Sequence, residues 1–182
     1  TQYAKGPFRL FYSLEGPNAL PVENQEDRDG DGTPDFIQNV ALRLNASFDI
    51  FTDSFGQKNP LQSGRYAGKA NIIAVDFLTM DGSGSASDSV SYDARYEGQG
   101  ALTMKLSTLL RDGTLTPTHE LFHLFQNGYT MFKNRWYTEG TARWSEGVLK
   151  EGTGSRHPLP DSVEALAHVL TLTYDTKYMW RQ

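Results

Sequence analysis

Residues 116–125 read TPTHELFHLF, and this helix-forming stretch carries the clearest chemical pattern in the chain. His119 and His123 are four residues apart, so a helix places both imidazoles on one face, where they can bind one ion. Glu120 lies beside them and can reach a water on that ion without binding the metal. Apolar residues flank the three: Leu121, Phe122, Leu124 and Phe125. Because unpaired polar groups are costly on a buried helix, the pattern predicts a metal site; the alternative is two structural histidines hydrogen-bonded in a core.

A catalytic zinc needs a third protein ligand and one open position. Glu139 lies 16 residues after His123, in the stretch WYTEGTARWSE at residues 136–146. Gly128 lets the chain turn back, which would bring Glu139 to face the histidines from the first turn of the next helix. Glu146, two turns further along the same face, is the rival ligand, or an acceptor for a ligand histidine. We expect Glu139 to be the third ligand.

The stretches HELFHLFQNGY and WYTEGTARWSE together resemble the gluzincin metallopeptidases, most closely secreted bacterial members that read HExFHxxQ and then W-x-x-EGxAxW-x-E. The earlier sequence is similar too, with FRLFY, then GPNALP, then an Asp/Gly-rich loop followed by PDFIQNV. The resemblance covers most of residues 8–150. It implies a zincin-like α+β fold, zinc bound by His119, His123 and Glu139, and Glu120 as the general base.

The chain departs from related families at identifiable points. A metzincin would have Gly at position 126 and His at 129, where this chain has Gln126 and Tyr129. The 16-residue spacing is shorter than in thermolysin-like gluzincins, and the tail is short for a full C-terminal lobe. We therefore expect one catalytic domain over residues 1–182. Its upper subdomain, about 1–128, holds the sheet and active-site helix, and about 129–182 starts a mostly helical lower subdomain. A missing C-terminal fragment of the same protein would carry the second oxyanion donor.

Residues 27–38 read DRDGDGTPDFIQ and follow the EF-hand calcium loop through its first nine positions. Gly32 makes the turn at position 6, whereas position 12 is Gln38 in place of a bidentate glutamate. The loop better resembles the DxDxDG calcium loops of secreted proteins. Four carboxylates in nine residues repel one another without a cation, so we expect structural calcium; the alternative is a solvated acidic turn. The expected ligands are Asp27, Asp29, Asp31, Thr33, Asp35 and Gln38.

Composition narrows the remaining function classes. The chain has 182 residues, no cysteine and a formal net charge of −5. Lack of cysteine excludes a disulfide scaffold, a thiol nucleophile and a cysteine-based zinc site. The acidic balance argues against nucleic-acid and anionic-membrane binding, and no apolar run approaches the ~20 residues that cross a bilayer. The chain opens at Thr1 without a signal-like segment, as a processed or trimmed protein would. The resemblance to secreted bacterial gluzincins implies a secreted bacterial or cell-surface protein.

Hydrophobic periodicity predicts strands at residues 8–12, 70–78 and 101–106. It predicts helices at about 35–55, 117–127, 138–149 and 162–174, with Gly128 ending the second. Residues 81–91 and 152–160 are predicted loops, the first of them small, polar and mobile. Strands early and helices late indicate an α+β fold.

These features together predict a zinc-dependent endopeptidase that acts on proteins or peptides. Strand 101–106 is expected to form the rim of the cleft and to pair with extended substrate, with residues 81–91 as its gate. Two alternatives stay open. One is an aminopeptidase of the same clan, and the other is a non-catalytic calcium-binding surface module that keeps zinc only for structure.

Overall fold

The computed structural model describes residues 1–129, 134–150 and 160–181. These residues form a five-stranded sheet and four α-helices, so the predicted α+β class is confirmed. The chain divides into two compact units, Thr1–Tyr129 and Thr130–Gln182. Among the helices of the described ranges, we find none with the length and apolar character needed to span a bilayer.

The first unit is built on the sheet, whose strand order is β1-β2-β3-β5-β4. The strands are β1 (Gln2–Lys5), β2 (Phe8–Phe11), β3 (Ile72–Leu78), β4 (Gly84–Tyr92) and β5 (Gly100–Ser107). The central strands β2, β3 and β5 are parallel, while β1 and β4 pair antiparallel at the two edges. The three predicted strands correspond to the three central strands, because only those carry continuous buried apolar runs.

Two helices cover one face of this sheet. Helix α1 (Asp35–Asp49) continues into a π-helical turn, Ile50–Ser54, which together match the predicted helix at 35–55. Its apolar stripe packs on the sheet, with Phe8 and Phe48 edge to face at 5.9 Å between ring centroids. Helix α2 (Thr116–Tyr129) packs beside α1 and against β4 and β5.

Aromatic rings join the two helices. Phe51 contacts Phe122 at 5.1 Å and Phe125 at 5.3 Å, and Phe48 contacts Phe125 at 5.5 Å between centroids. Edge-to-face pairs of this kind stabilise by about 0.5–1.5 kcal/mol each beyond the area that they bury. The position of α2 is therefore set by its apolar face. Packing of that face also fixes where the polar turn of α2 lies.

The opposite face of the sheet carries a smaller apolar cluster around the 3₁₀ turn Ala94–Tyr96. Its members are Phe11, Ile72, Ala74, Tyr96 and Ala101. Arg95 lies over the Phe11 ring, 4.7 Å from its centroid, and is paired with Asp76 and Asp93.

The expectation of a mobile loop at residues 81–91 is wrong, because this segment from Gly84 onward belongs to edge strand β4. Serine and glycine are poor strand formers, and a register shift between Ala86 and Val90 breaks the two-residue period that would have revealed the strand. As a result, β5 is paired on both sides, with β3 and β4. The expected cleft rim at residues 101–106 is therefore also wrong, since β5 has no open edge and the outer edge belongs to β4.

The position of Gly128 also differs from the prediction. It lies inside α2 and does not end it. A Cβ at this position would lie 3.2 Å from Ser63 Cβ, so the glycine permits close packing of the helix. In the sequence a glycine indicates the end of a helix, whereas Gly128 is needed for close packing.

The second unit begins with helix α3 (Arg135–Ser145), followed by the 3₁₀ turn Glu146–Val148, in place of the predicted helix at 138–149. Helix α4 (Val163–Thr171) and the 3₁₀ segment Tyr174–Arg181 replace the predicted helix at 162–174. Gly140 lets this last segment approach α3, because a Cβ there would overlap the Thr176 hydroxyl. The apolar side of α4 is exposed, and most of the predicted loop at 152–160 lies outside the described residues.

Candidate metal centre

The two histidines of α2 face each other as the spacing predicts. His119 Nε2 and His123 Nε2 are 3.2 Å apart, with the rings nearly perpendicular at 84°. Two imidazole lone pairs cannot face each other at this distance without a proton or a cation between them. Two nitrogens bound tetrahedrally to one zinc ion at about 2.0–2.1 Å would be about 3.3 Å apart. The pair therefore fits a shared divalent ion.

Gln126 orients the second histidine. Its Oε1 lies 2.7 Å from His123 Nδ1 and accepts a hydrogen bond from it, so Nδ1 carries the proton and Nε2 presents its lone pair. Metal-binding histidines commonly have such a partner on the other ring nitrogen. In the sequence, Gln126 excludes the metzincin pattern and ends the HExFHxxQ motif of the resemblance, but neither assigns it a contact with His123. The feature of the sequence that could have indicated this hydrogen bond is the spacing, because a residue three positions after His123 lies on the same helical face.

Glu120 lies in the same turn and is only 6% exposed. A buried glutamate in the same helical turn as two facing imidazoles is a candidate functional group, since burying a carboxylate is costly unless neighbouring charges or protons offset it. His119 is comparably buried at 7%, whereas His123 is half-buried. The site thus combines a buried glutamate with one partly accessible histidine.

The predicted third ligand and its rival lie on α3 in the second unit. Glu139 lies in the second helical turn and not in the first, because α3 begins at Arg135. The Tyr174 hydroxyl donates a hydrogen bond to the Glu139 carboxylate. The pKa of Tyr174 is raised, mainly by burial and secondly by the negative charge of Glu139. Glu146 is held differently, since Arg143 Nη1 donates to both of its carboxylate oxygens, at 2.9 and 3.0 Å.

The acidic loop places three carboxylates together. Oxygen atoms of Asp27, Asp29 and Asp35 lie within 4.8 Å of one another. The two oxygens of Asp27 accept hydrogen bonds from the amides of Gly30 and Gly32, both at 2.9 Å. Hydrogen bonds, first from the Gly32 amide and then from Asp29 and the Gly30 amide, hold the pKa of Asp27 below its usual value.

The remaining predicted calcium ligands close the other side of the loop. Asp31 accepts from the Thr33 amide at 2.8 Å and from Gln38 Nε2 at 3.0 Å. The side chain at position 12 is therefore directed into the loop, although it is an amide and not a carboxylate. Thr33 is also hydrogen-bonded to the buried Tyr12, whose pKa is raised mainly by burial. Tyr12 follows β2 directly, so this hydrogen bond joins the loop to the sheet.

A cavity of about 440 Å³ lies elsewhere in the first unit, at the carboxyl ends of β2 and β3. Its charged lining side chains, Asp76 and Arg95, are bonded to each other. None of the three predicted residues of α2 lines it. The cavity offers no set of metal ligands, so the candidate chemistry belongs to α2.

Comparison of the chain with protein-family models, with curated proteins and with solved structures found no significant match. What the site can do is therefore inferred from its own residues. They are two facing imidazoles, a buried carboxylate and an amide that orients one of the imidazoles.

Replacing Gln126 with leucine should lower the affinity for zinc about 10- to 100-fold, because His123 Nδ1 loses its acceptor. Competition with a chromophoric chelator measures this loss. Gln126→Glu is the matched control, since a carboxylate still accepts the hydrogen bond and should keep the affinity close to that of the wild type. Equal zinc affinity in the leucine variant would show that Gln126 does not orient the ligand.

Proposed function

We propose that this chain is a zinc-dependent endopeptidase of the gluzincin type with a zincin-like fold. The observation that supports this most is the geometry of α2. Two Nε2 atoms lie 3.2 Å apart on a buried helix, with Glu120 in the same turn. Structural histidines in a core could satisfy each other, but they would not require a buried carboxylate and an oriented tautomer beside them.

The proposed zinc ligands are His119 and His123 through Nε2, and Glu139. When bound, zinc would polarise the scissile carbonyl and lower the pKa of a water toward ~7. Glu139 is favoured over Glu146 by the contacts within the second unit. Arg143 engages both oxygens of Glu146, whereas Glu139 has the hydroxyl partner typical of a positioned metal-binding carboxylate.

Residues of the chain itself would carry out proton transfer, ligand orientation and substrate binding. Glu120 accepts a proton from the attacking water and then delivers it to the leaving amine nitrogen. Gln126 holds His123 in the tautomer that frees its Nε2. The outer edge of β4 can hydrogen-bond an extended peptide by strand addition, a role that β5 cannot have. A peptide held in this way runs past the site and favours cleavage within a chain.

We also propose that calcium binds the loop at residues 27–38, in a structural role. The loop leads directly into α1 and is joined to the sheet through Tyr12 and Thr33. Neutralising its clustered carboxylates would fix the first turn of α1 relative to β2. Calcium loops of low affinity suit millimolar extracellular calcium, which supports a secreted or cell-surface location.

Glu120→Gln should keep zinc but lower kcat by about 100- to 10,000-fold, because only the proton carrier is removed. Zinc content by mass spectrometry and hydrolysis of casein and of N-acetylated peptides measure the two effects. Glu15→Gln, an exposed change of the same kind, should leave both values unchanged. Full activity in the Glu120 variant would remove this residue from the mechanism.

The same assay separates the alternatives. Cleavage of N-acetylated peptides, abolished by chelator, supports an endopeptidase. Cleavage that requires a free amino terminus would identify an aminopeptidase. Stoichiometric zinc without hydrolysis of any peptide would identify a binding module with a structural ion.

Glu139→Ala should weaken zinc binding by more than the 10- to 100-fold expected of an outer partner, whereas Glu146→Ala should weaken it less. The two residues are seven positions apart, at the second turn of α3 and just after its end, and the changes are chemically identical, so each variant controls for the other. Chelator competition gives both affinities. The opposite order of the two losses would assign Glu146 as the ligand.

Millimolar calcium should raise the melting temperature by about 3–6 °C. A ligand at tenfold its Kd stabilises the folded state by about 1.4 kcal/mol, and a protein of this size shifts by about 2–4 °C per kcal/mol. Asp27→Asn combined with Asp29→Asn should abolish the shift, whereas Asp49→Asn, an exposed change outside the loop, should preserve it. A melting temperature that ignores calcium, in protein first shown to be calcium-free, would contradict the proposal.

A further inference from the structure

The first residue of β4 lies directly against Glu120. A Cβ added to Gly84 would lie 2.8 Å from Glu120 Cγ and 2.9 Å from its Oε1. Both distances are shorter than real Cβ contacts, so no side chain fits here unless something moves. Gly84 is not among the glycines with positive φ. Space, and not backbone conformation, is therefore what requires a glycine at this position.

The strand is not free to move away from the helix at this end. Gly84 pairs with Leu106 of β5, and the amide of Ser107 donates to the carbonyl of Ser83 at 2.9 Å. Because β5 is also paired with β3, a shift of Gly84 would have to break sheet hydrogen bonds.

The strand is also fastened to α2 three residues further on. Asn127 Nδ2 lies 3.5 Å from the carbonyl of Ser87, and Arg65 donates to the carbonyl of Asn127 at 3.1 Å. The same Arg65 is ion-paired with Asp88, whose carbonyl accepts from the Tyr66 hydroxyl at 2.8 Å.

The two contacts have matching spacing. Three residues of strand span about 10 Å, and the seven residues from Glu120 to Asn127 rise about 10.5 Å along the helix. The strand therefore follows α2 for two turns and is held at both ends of that path.

The helix is equally fixed, since Phe122 and Phe125 pack against α1 on its other side. With strand and helix both held, the end of the Glu120 side chain is the part that would have to move. We infer that Gly84 is a positioning residue, whose bare backbone sets where the Glu120 carboxylate lies. The inference rests on the proposed function only in that it makes Glu120 the proton carrier.

The test is Gly84→Ala. It should lower kcat about 10- to 100-fold, the cost of displacing a reacting group by about 1 Å, while KM stays within about twofold and zinc content is unchanged. Gly64→Ala is the matched control, because its Cβ would meet nothing within 4 Å and its φ is not positive. It should leave kcat unchanged.

A readout without activity separates this inference from the proposed function. In metal-free protein, the ¹³C resonances of the Glu120 side chain, assigned through Glu120→Gln, should shift in Gly84→Ala and stay in place in Gly64→Ala. If the wild type cleaves no peptide, the proposed function fails while these shifts still test the contact. Unmoved resonances would overturn the positioning role, whatever the activity.

A loss of stability in Gly84→Ala is resolved by a second background. If the added methyl collides with Glu120, the fall in the melting temperature should disappear when Gly84→Ala is made together with Glu120→Ala. If the fall persists there, the methyl disturbs the strand itself and the inference is wrong.

Discussion

The contact of Phe51 with Phe122 and Phe125 is the interaction on which the rest of the candidate site depends. It draws α2 onto α1 by its apolar face, and the buried hydrogen bond between Ser47 and Thr118 sets the register at the start of α2. Once these contacts are made, the polar turn of α2 has no freedom to rotate toward solvent. A histidine pair and a carboxylate are thereby held in a site of low exposure, where electrostatic interactions are strong.

The local chemistry of α2 could be predicted because it depends on helical geometry alone. A four-residue spacing brings two imidazoles together in any helix, so the facing of His119 and His123 needed no knowledge of the fold. The helical spacing alone does not say which nitrogen His123 presents. That depends on Gln126, whose Oε1 lies 2.7 Å from His123 Nδ1 in the structure.

For the fold, too, features that depend on local sequence pattern could be predicted, and features that depend on tertiary packing could not. Continuous apolar runs revealed the central strands, since burial on both faces leaves a strong signal. The prediction from Gly128 was wrong because glycine occurs both at helix ends and at sites of close packing. In α2 it allows the helix to pack closely on Ser63. Hydrophobic periodicity predicted a helix at about 162–174, yet Val163 of α4 is 78% exposed, because periodicity cannot say which surface covers a helix.

Strand β4 shows why composition alone conceals some of the most consequential elements. Its serines, glycine and alanine are poor strand formers, and the register shift between Ala86 and Val90 hides what alternation there is. Yet β4 has no room for a side chain at the residue that meets Glu120 of α2. A bulky, strongly strand-forming residue in place of Gly84 would collide with Glu120. Gly84, which counted toward the prediction of a loop, is therefore what allows the sheet edge to reach the carboxylate, and this part of the weak strand signal follows from the closeness of that approach.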